Sequence, residues 1–112
     1  MSEMRVRSKV WLEFDGHPFL GDGRFRLLST IERSGSINAA AKELGLSYRK
    51  VWAQLQAMEK NAPFTLLERR TGGKGGGETR LTLAAQELLR SYRNLREQVN
   101  QAADQSFEEI FH

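Results

Sequence analysis

Residues 34–60, SGSINAAAKELGLSYRKVWAQLQAMEK, read as two short helices joined by a glycine turn, the pattern of a helix-turn-helix. Ser36 is placed to cap the first helix, where the small side chains of Ala39, Ala40 and Ala41 let a neighbouring helix approach closely. Gly45 tolerates the left-handed conformation that ends this helix, and Leu46 then turns into the core. Ser47 is placed to cap the second helix. At about 100° per residue, Val51, Trp52, Leu55 and Met58 fall on one side of it. Arg49, Lys50, Ala53, Gln56 and Lys60 fall on the other, a cationic outer face suited to a groove of duplex DNA.

Upstream, RVRSKVWLEF at 5–14 alternates polar and apolar side chains, with Val6, Val10, Leu12 and Phe14 on one side. Asp15-Gly16 and then HPFL follow, so residues 5–20 are expected to form a β-hairpin with a tight turn. GDG at 21–23 breaks the strand, and Phe25, Leu27, Leu28 and Ile31 give the apolar face of a first core helix that ends near Ser34-Gly35. Downstream, Asn61 and Pro63 end the helical pattern. TLLERR, TGGKGGG and ETRLTL then read as strand, glycine tip and strand, a wing within residues 65–81.

Thr82 is placed to cap a last helix in which Ala85, Leu88, Tyr92, Leu95, Val99 and Ala102 recur at alternating steps of three and four. Such heptad spacing outside the core predicts a partner helix, and its simplest source is a second copy of the chain. Leu88, Tyr92, Leu95 and Val99 are the expected dimerisation residues. The closing SFEEIFH either docks on the dimer or frays.

The 112 residues allow one domain with a modest core, and 39% hydrophobic with 28% charged side chains is ordinary for a soluble globular protein. No apolar run approaches the roughly 20 residues of a bilayer span, and MSEMRVRSKVW lacks the apolar stretch of a secretory signal, so a cytoplasmic location is expected. Cysteine is absent and His17 and His112 lie far apart, so neither a metal nor a cofactor is expected. The net charge is +3, unevenly spread: residues 1–23 sum to −1, residues 24–80 to +6 and residues 81–112 to −2. Positive charge gathered around the helix-turn-helix and wing fits a polyanionic partner.

Phosphate neutralisation would fall to Arg49, Lys50, Arg69, Arg70, Lys74 and Arg80. Arg49 and Lys50, in the first turn of the second helix, are also placed to reach guanine O6 and N7. Ser47 and Tyr48 offer hydroxyls to a phosphate at the helix start, and Gln54 or Gln56 suits adenine. Trp52 is expected to pack in the core with Val51 and Leu55. The glycine tip is not a nucleotide-binding P-loop, because Lys74 is followed by Gly75 and a strand pattern instead of Ser or Thr and a helix. His17, a lone turn histidine, has no assignable catalytic partner, so no enzymatic activity is expected.

KVWLEFDGHPFLGDGRFRLLSTIERSGSINAAAKELGLSYRKVWAQLQAME and LLERRTGGKGGGETRLTLAAQELL together resemble the N-terminal DNA-binding domain of ModE-type, molybdate-responsive transcription regulators, over roughly residues 9–90. The most specific pieces are LEFDGHPFLG, GSINAAAKELGLSY with the following Trp52, and TGGKGGG; the Ala-rich helix alone is shared with LysR-type regulators. The resemblance implies a winged helix that dimerises through flanking helices and binds a palindromic operator. Longer members of that family carry C-terminal oxyanion-binding domains that sense molybdate. Nothing in this chain matches those, so no molybdate binding is expected, and the chain is either a stand-alone DNA-binding part or a fragment.

The expected fold is α+β and mainly helical: a winged helix-turn-helix over residues 1–81, with its helix-turn-helix at 36–60, followed by a dimerisation helix and tail over 82–112. The expected function is sequence-specific binding of double-stranded DNA by a homodimeric transcriptional regulator. The competing reading is a winged helix used as a protein-interaction or architectural DNA-binding scaffold.

Overall fold

The structure, a computed structural model, describes residues 3–70 and 78–112; the glycine tip with Lys74, and the side chain of Arg70, lie outside the described residues. Along the chain run β1 (Leu12–Phe14), β2 (His17–Leu20), α1 (Asp22–Ser34), α2 (Ile37–Leu44), α3 (Tyr48–Asn61), β3 (Leu67–Arg70), β4 (Glu78–Leu81) and α4 (Leu83–Phe111). Two antiparallel hairpins, β1-β2 and β3-β4, flank the three-helix unit.

Asp15 and Gly16 both take positive φ, 51° and 79°, which gives the first hairpin the tight primed turn whose twist matches its strands. The hairpin is shorter than the sequence alternation suggests. Leu20 pairs with Leu12 and the next two residues open α1, so no strand lies opposite residues 5–11. That segment runs along α4 instead: the Ser8 hydroxyl donates to Asn100 Oδ1, and the Val10 carbonyl accepts from the Tyr92 hydroxyl at 2.8 Å. Phe14, expected on the apolar side, is exposed.

The caps are those the sequence offers. Ser36 Oγ accepts from the Ala39 N–H at 3.0 Å, Ser47 Oγ from Lys50 at 3.1 Å and Thr82 Oγ1 from Ala85 at 3.1 Å. Gly45 at φ 68° ends α2 while the Leu46 N–H donates back to the Ala41 carbonyl at 2.9 Å. Leu27, Leu28 and Ile31 of α1 meet Ile37, Ala40 and Ala41 of α2 and Val51, Leu55 and Met58 of α3 in one core, closed by Phe19 and Leu20, by Leu66, Leu67 and Leu81 of the wing, and by Ala85 and Leu89 of α4. The wing is tied on at both strands. Thr79 N–H donates to the Gly35 carbonyl at 3.0 Å, and Thr82 bonds Leu66 and Thr65 across the hairpin base.

Tyr92 is a correction to the expected dimer stripe: its side chain is 1% exposed, inside its own protomer. Its ring packs on Phe25 and its hydroxyl lies 2.8 Å from the Val10 carbonyl and 3.0 Å from Asp22 Oδ1. Arg96, one turn further along α4, makes a two-pronged ion pair with Asp22 through Nε and Nη2. The straight helix explains the outcome. Core contact follows a 3.6-residue period, so Ala85, Leu89 and Tyr92 turn inward with Leu88 partly buried beside them, while Leu95 and Ala102, further along the 3.5-residue stripe, are exposed. The closing segment does not fray: α4 continues to Phe111, with the Phe107 and Phe111 rings stacked at 4.8 Å.

The Arg96 guanidinium holds the Asp22 carboxyl below its ordinary pKa, reinforced by the Tyr92 hydroxyl against a partial desolvation cost. A depressed folded-state pKa means that the unfolded chain binds the proton more readily, so the stabilisation is present above the ordinary carboxylate pKa and is lost as pH falls below about 4. Asp22→Asn is expected to lower the neutral-pH Tm by a few degrees and to flatten the acid limb of a Tm-against-pH curve. An unchanged acid limb would exclude this pair as a source of acid sensitivity.

Candidate nucleic-acid interface

Burial of Val51, Leu55 and Met58 fixes which side of α3 faces water. Opposite them lie Arg49, Lys50, Ala53, Gln56, Ala57 and Lys60, all exposed. Two alanines in the middle of this face keep it low, so the backbone can come close to whatever it docks on. Neither Arg49 nor Lys50 is in a salt bridge with another described residue. The helix also directs its N-terminal N–H groups and the positive end of its dipole toward the same end as these cations.

The other expected residues are spread around this face. The Ser47 hydroxyl is occupied by the Lys50 N–H, which leaves its second lone pair and its proton for a ligand. Tyr48 is half exposed and shares a groove with Ser36, Asn38, Ala39 and Lys42 of the α2 start. Gln54 is half buried on one flank, in a groove with Arg24, Arg26, Leu44 and Leu46, so Gln56 is the glutamine on the outer face. Lys42 and Arg26 thus join the edges of the interface. No local pattern marks them, because only the crossing of α1 and α2 over α3 brings them there.

Trp52 corrects a second expectation: it is 38% exposed and lies on the flank opposite Gln54. At about 100° from Val51 it stands at the edge of the apolar arc, and the core closes without it. The Arg69 guanidinium of β3 lies over its ring, 5.6 Å from the centroid. Arg80 is placed differently. It alternates with the buried Thr79 and Leu81, faces away from the helices and pairs with Glu78 at 3.8 Å.

Three helices with a cationic third helix and a hairpin wing is an arrangement that inserts a helix in a major groove and lays the wing along the backbone. The model of the bacterial regulatory helix-turn-helix proteins of the lysR family matches residues 23–86, which runs from the first turn of α1 through the wing into α4. The chain belongs to that family. This lysR-family chain is 51% identical over 74 residues to the transcriptional regulator ModE of Haemophilus influenzae, a match covering 66% of the chain and 29% of the relative. It is 38% identical over 110 residues to the molybdenum transport protein ModE of Azotobacter vinelandii, covering 98% of the chain and 41% of the relative. The ModE likeness read from LEFDGHPFLG onward is therefore met, although the chain spans less than half the length of these curated relatives. Among solved structures, the CbnR_DBD–DNA complex is similar with a TM-score of 0.57 and 26% identity, over 78% of this chain and 94% of that one.

Among the described residues no group of three or more His, Cys, Asp or Glu side chains is placed to hold a metal ion, and no helix is long and apolar enough to cross a membrane. Arg49→Ala removes an exposed side chain that supports no described contact, so folding is expected to be unchanged. As the first-turn guanidinium on the outer face, Arg49 is expected to contribute roughly 1–3 kcal/mol to discrimination between a preferred duplex and a random one. Titration of both duplexes checks this, and equal losses on the two would reduce Arg49 to a phosphate contact.

Proposed function

We propose that this chain binds double-stranded DNA sequence-specifically as a homodimer and regulates transcription from a palindromic operator, each protomer placing α3 in a major groove. The observation that carries the reading is the low, cationic outer face of α3, held outward by a fully buried inner face. Family membership and a DNA-bound structural relative support it. Arg49 and Lys50 are assigned to base edges, and Tyr48, Arg69, Arg70 and Lys74 to phosphates, with Ser47 and Gln54 at the margins. Arg80, turned away and paired, is assigned the weakest part. The reading gives this chain no molybdate site.

The second protomer is assigned to the outer face of α4. This helix of 29 residues is about 43 Å long, and only its first turns reach the three-helix core. Beyond Tyr92, Leu95 is 42% exposed, with Val99 and Ala102 further along the same side. A rigid pair of protomers would read half-sites roughly 34 Å apart.

Selection from a pool of random duplexes at physiological salt tests the reading. Enrichment of one palindromic motif is expected; retention without an enriched motif would favour an architectural role, and no retention a protein-binding one. Leu95→Asp places a charge in the proposed interface and is expected to give monomers that still fold, seen by sedimentation equilibrium. A dimer undiminished by this change would remove the α4 stripe from the interface.

A further inference from the structure

The wing hairpin has two faces. Leu67 and Arg69 on β3 and Thr79 and Leu81 on β4 share the one turned toward the helices, and Leu67, Thr79 and Leu81 are buried there. Arg69 is the outermost member of this row and is exposed, past the edge of the core. It would be a freely rotating surface cation but for Trp52, whose ring lies beneath its guanidinium. Among the described residues no carboxylate lies within salt-bridge distance of Arg69. Trp52 is itself unusual: the other exposed positions on α3 between Arg49 and Lys60 are alanine or glutamine apart from Lys50, whereas this one leaves a large apolar ring beside the DNA-facing side.

We infer that Trp52 is a positioning residue that holds the Arg69 guanidinium at the junction of α3 and the wing, so that the two elements present their cations to the DNA backbone as one preformed unit. This rests on the DNA-binding reading above. A guanidinium held over a ring by cation–π attraction still offers its N–H groups to a phosphate. Arginine otherwise loses rotamer freedom when it binds, and a ring that has already restricted it removes part of that cost. The ring also ties the rotation of α3 to the angle of the wing. A lysine at 69 would keep the charge but lose both the flat face and the forked edge.

The test is a double-mutant cycle on a random duplex across a salt series, with Trp52→Leu, Trp52→Phe, Arg69→Gln and the Trp52→Leu/Arg69→Gln pair, each shown by circular dichroism to be folded. Trp52→Leu, which keeps an apolar side chain and removes the π face, is expected to weaken binding roughly two- to five-fold, the scale of an exposed cation–π contact. Trp52→Phe is expected to recover most of that loss. In the Arg69→Gln background Trp52→Leu is expected to have no further effect. In the free protein, the Arg69 δ-protons should be shifted upfield by the ring in wild type and in Trp52→Phe, and not in Trp52→Leu. Equal losses in the Leu and Phe variants, an undiminished loss in the Arg69→Gln background, or unshifted wild-type δ-protons would overturn the inference. A wild-type chain that retains no duplex would instead overturn the DNA-binding reading on which it rests.

Discussion

The seating of α3 on Val51, Leu55 and Met58 sets the rotation of this helix about its axis, and with it the direction of its outer face. Each of these side chains contributes roughly 1.5–3 kcal/mol by leaving water. Turning the helix by one residue would bring Lys50 or Trp52 toward a seat that admits only aliphatic side chains of medium size, and burying the Lys50 ammonium there without a partner is prohibitive. The small residues of α2 do the complementary work: Ala40 and Ala41 are buried where α2 meets α1 and α3, and larger side chains would push the recognition helix outward. The Gly45 turn then needs only to reverse the chain in the short distance this packing leaves.

The long helix depends on a different kind of attachment. Its first turns are packed in the core, but its direction is fixed by a polar node in which Asp22, at the start of α1, receives Arg96 and the Tyr92 hydroxyl. Burial pushes the Tyr92 phenol above its ordinary pKa, and the neighbouring carboxylate adds to that, so the phenol stays a neutral donor across the physiological range. The N-terminal segment lies against the same node through the Val10 carbonyl and against α4 through Ser8 and Asn100. Residues that looked like a longer hairpin thus brace α4 along the protomer's side.

The wing is held at its root and not by its strands alone, since two short strands are marginal in isolation. Thr82 serves three neighbours at once, bonding Thr65 and Leu66 across the hairpin base and capping α4. Any movement of the wing is therefore referred to the start of α4 on one side and to the α1-α2 turn, through Thr79 and Gly35, on the other. Arg69 over Trp52 adds a third tie, this one to the recognition helix.

Most of the architecture was legible in the sequence because it is locally encoded. The Ser36, Ser47 and Thr82 caps, the Gly45 stop, the Asp15-Gly16 turn and the 3.6-residue arc of α3 each depend on residues within a few positions of one another, whose backbone hydrogen bonds and φ preferences are the same in any fold. What the sequence left undetermined is what stands opposite each side chain. Trp52 reads as core from periodicity, and Tyr92 reads as interface from heptad spacing, yet the first is displaced to the surface and the second taken inside. Periodicity ranks positions around a helix without saying how wide the buried arc is or which neighbour closes it. Those widths were decided only when α1, α2, the wing and the N-terminal segment met, because close packing among distant segments, and not any local preference, determines which apolar side chains find a seat.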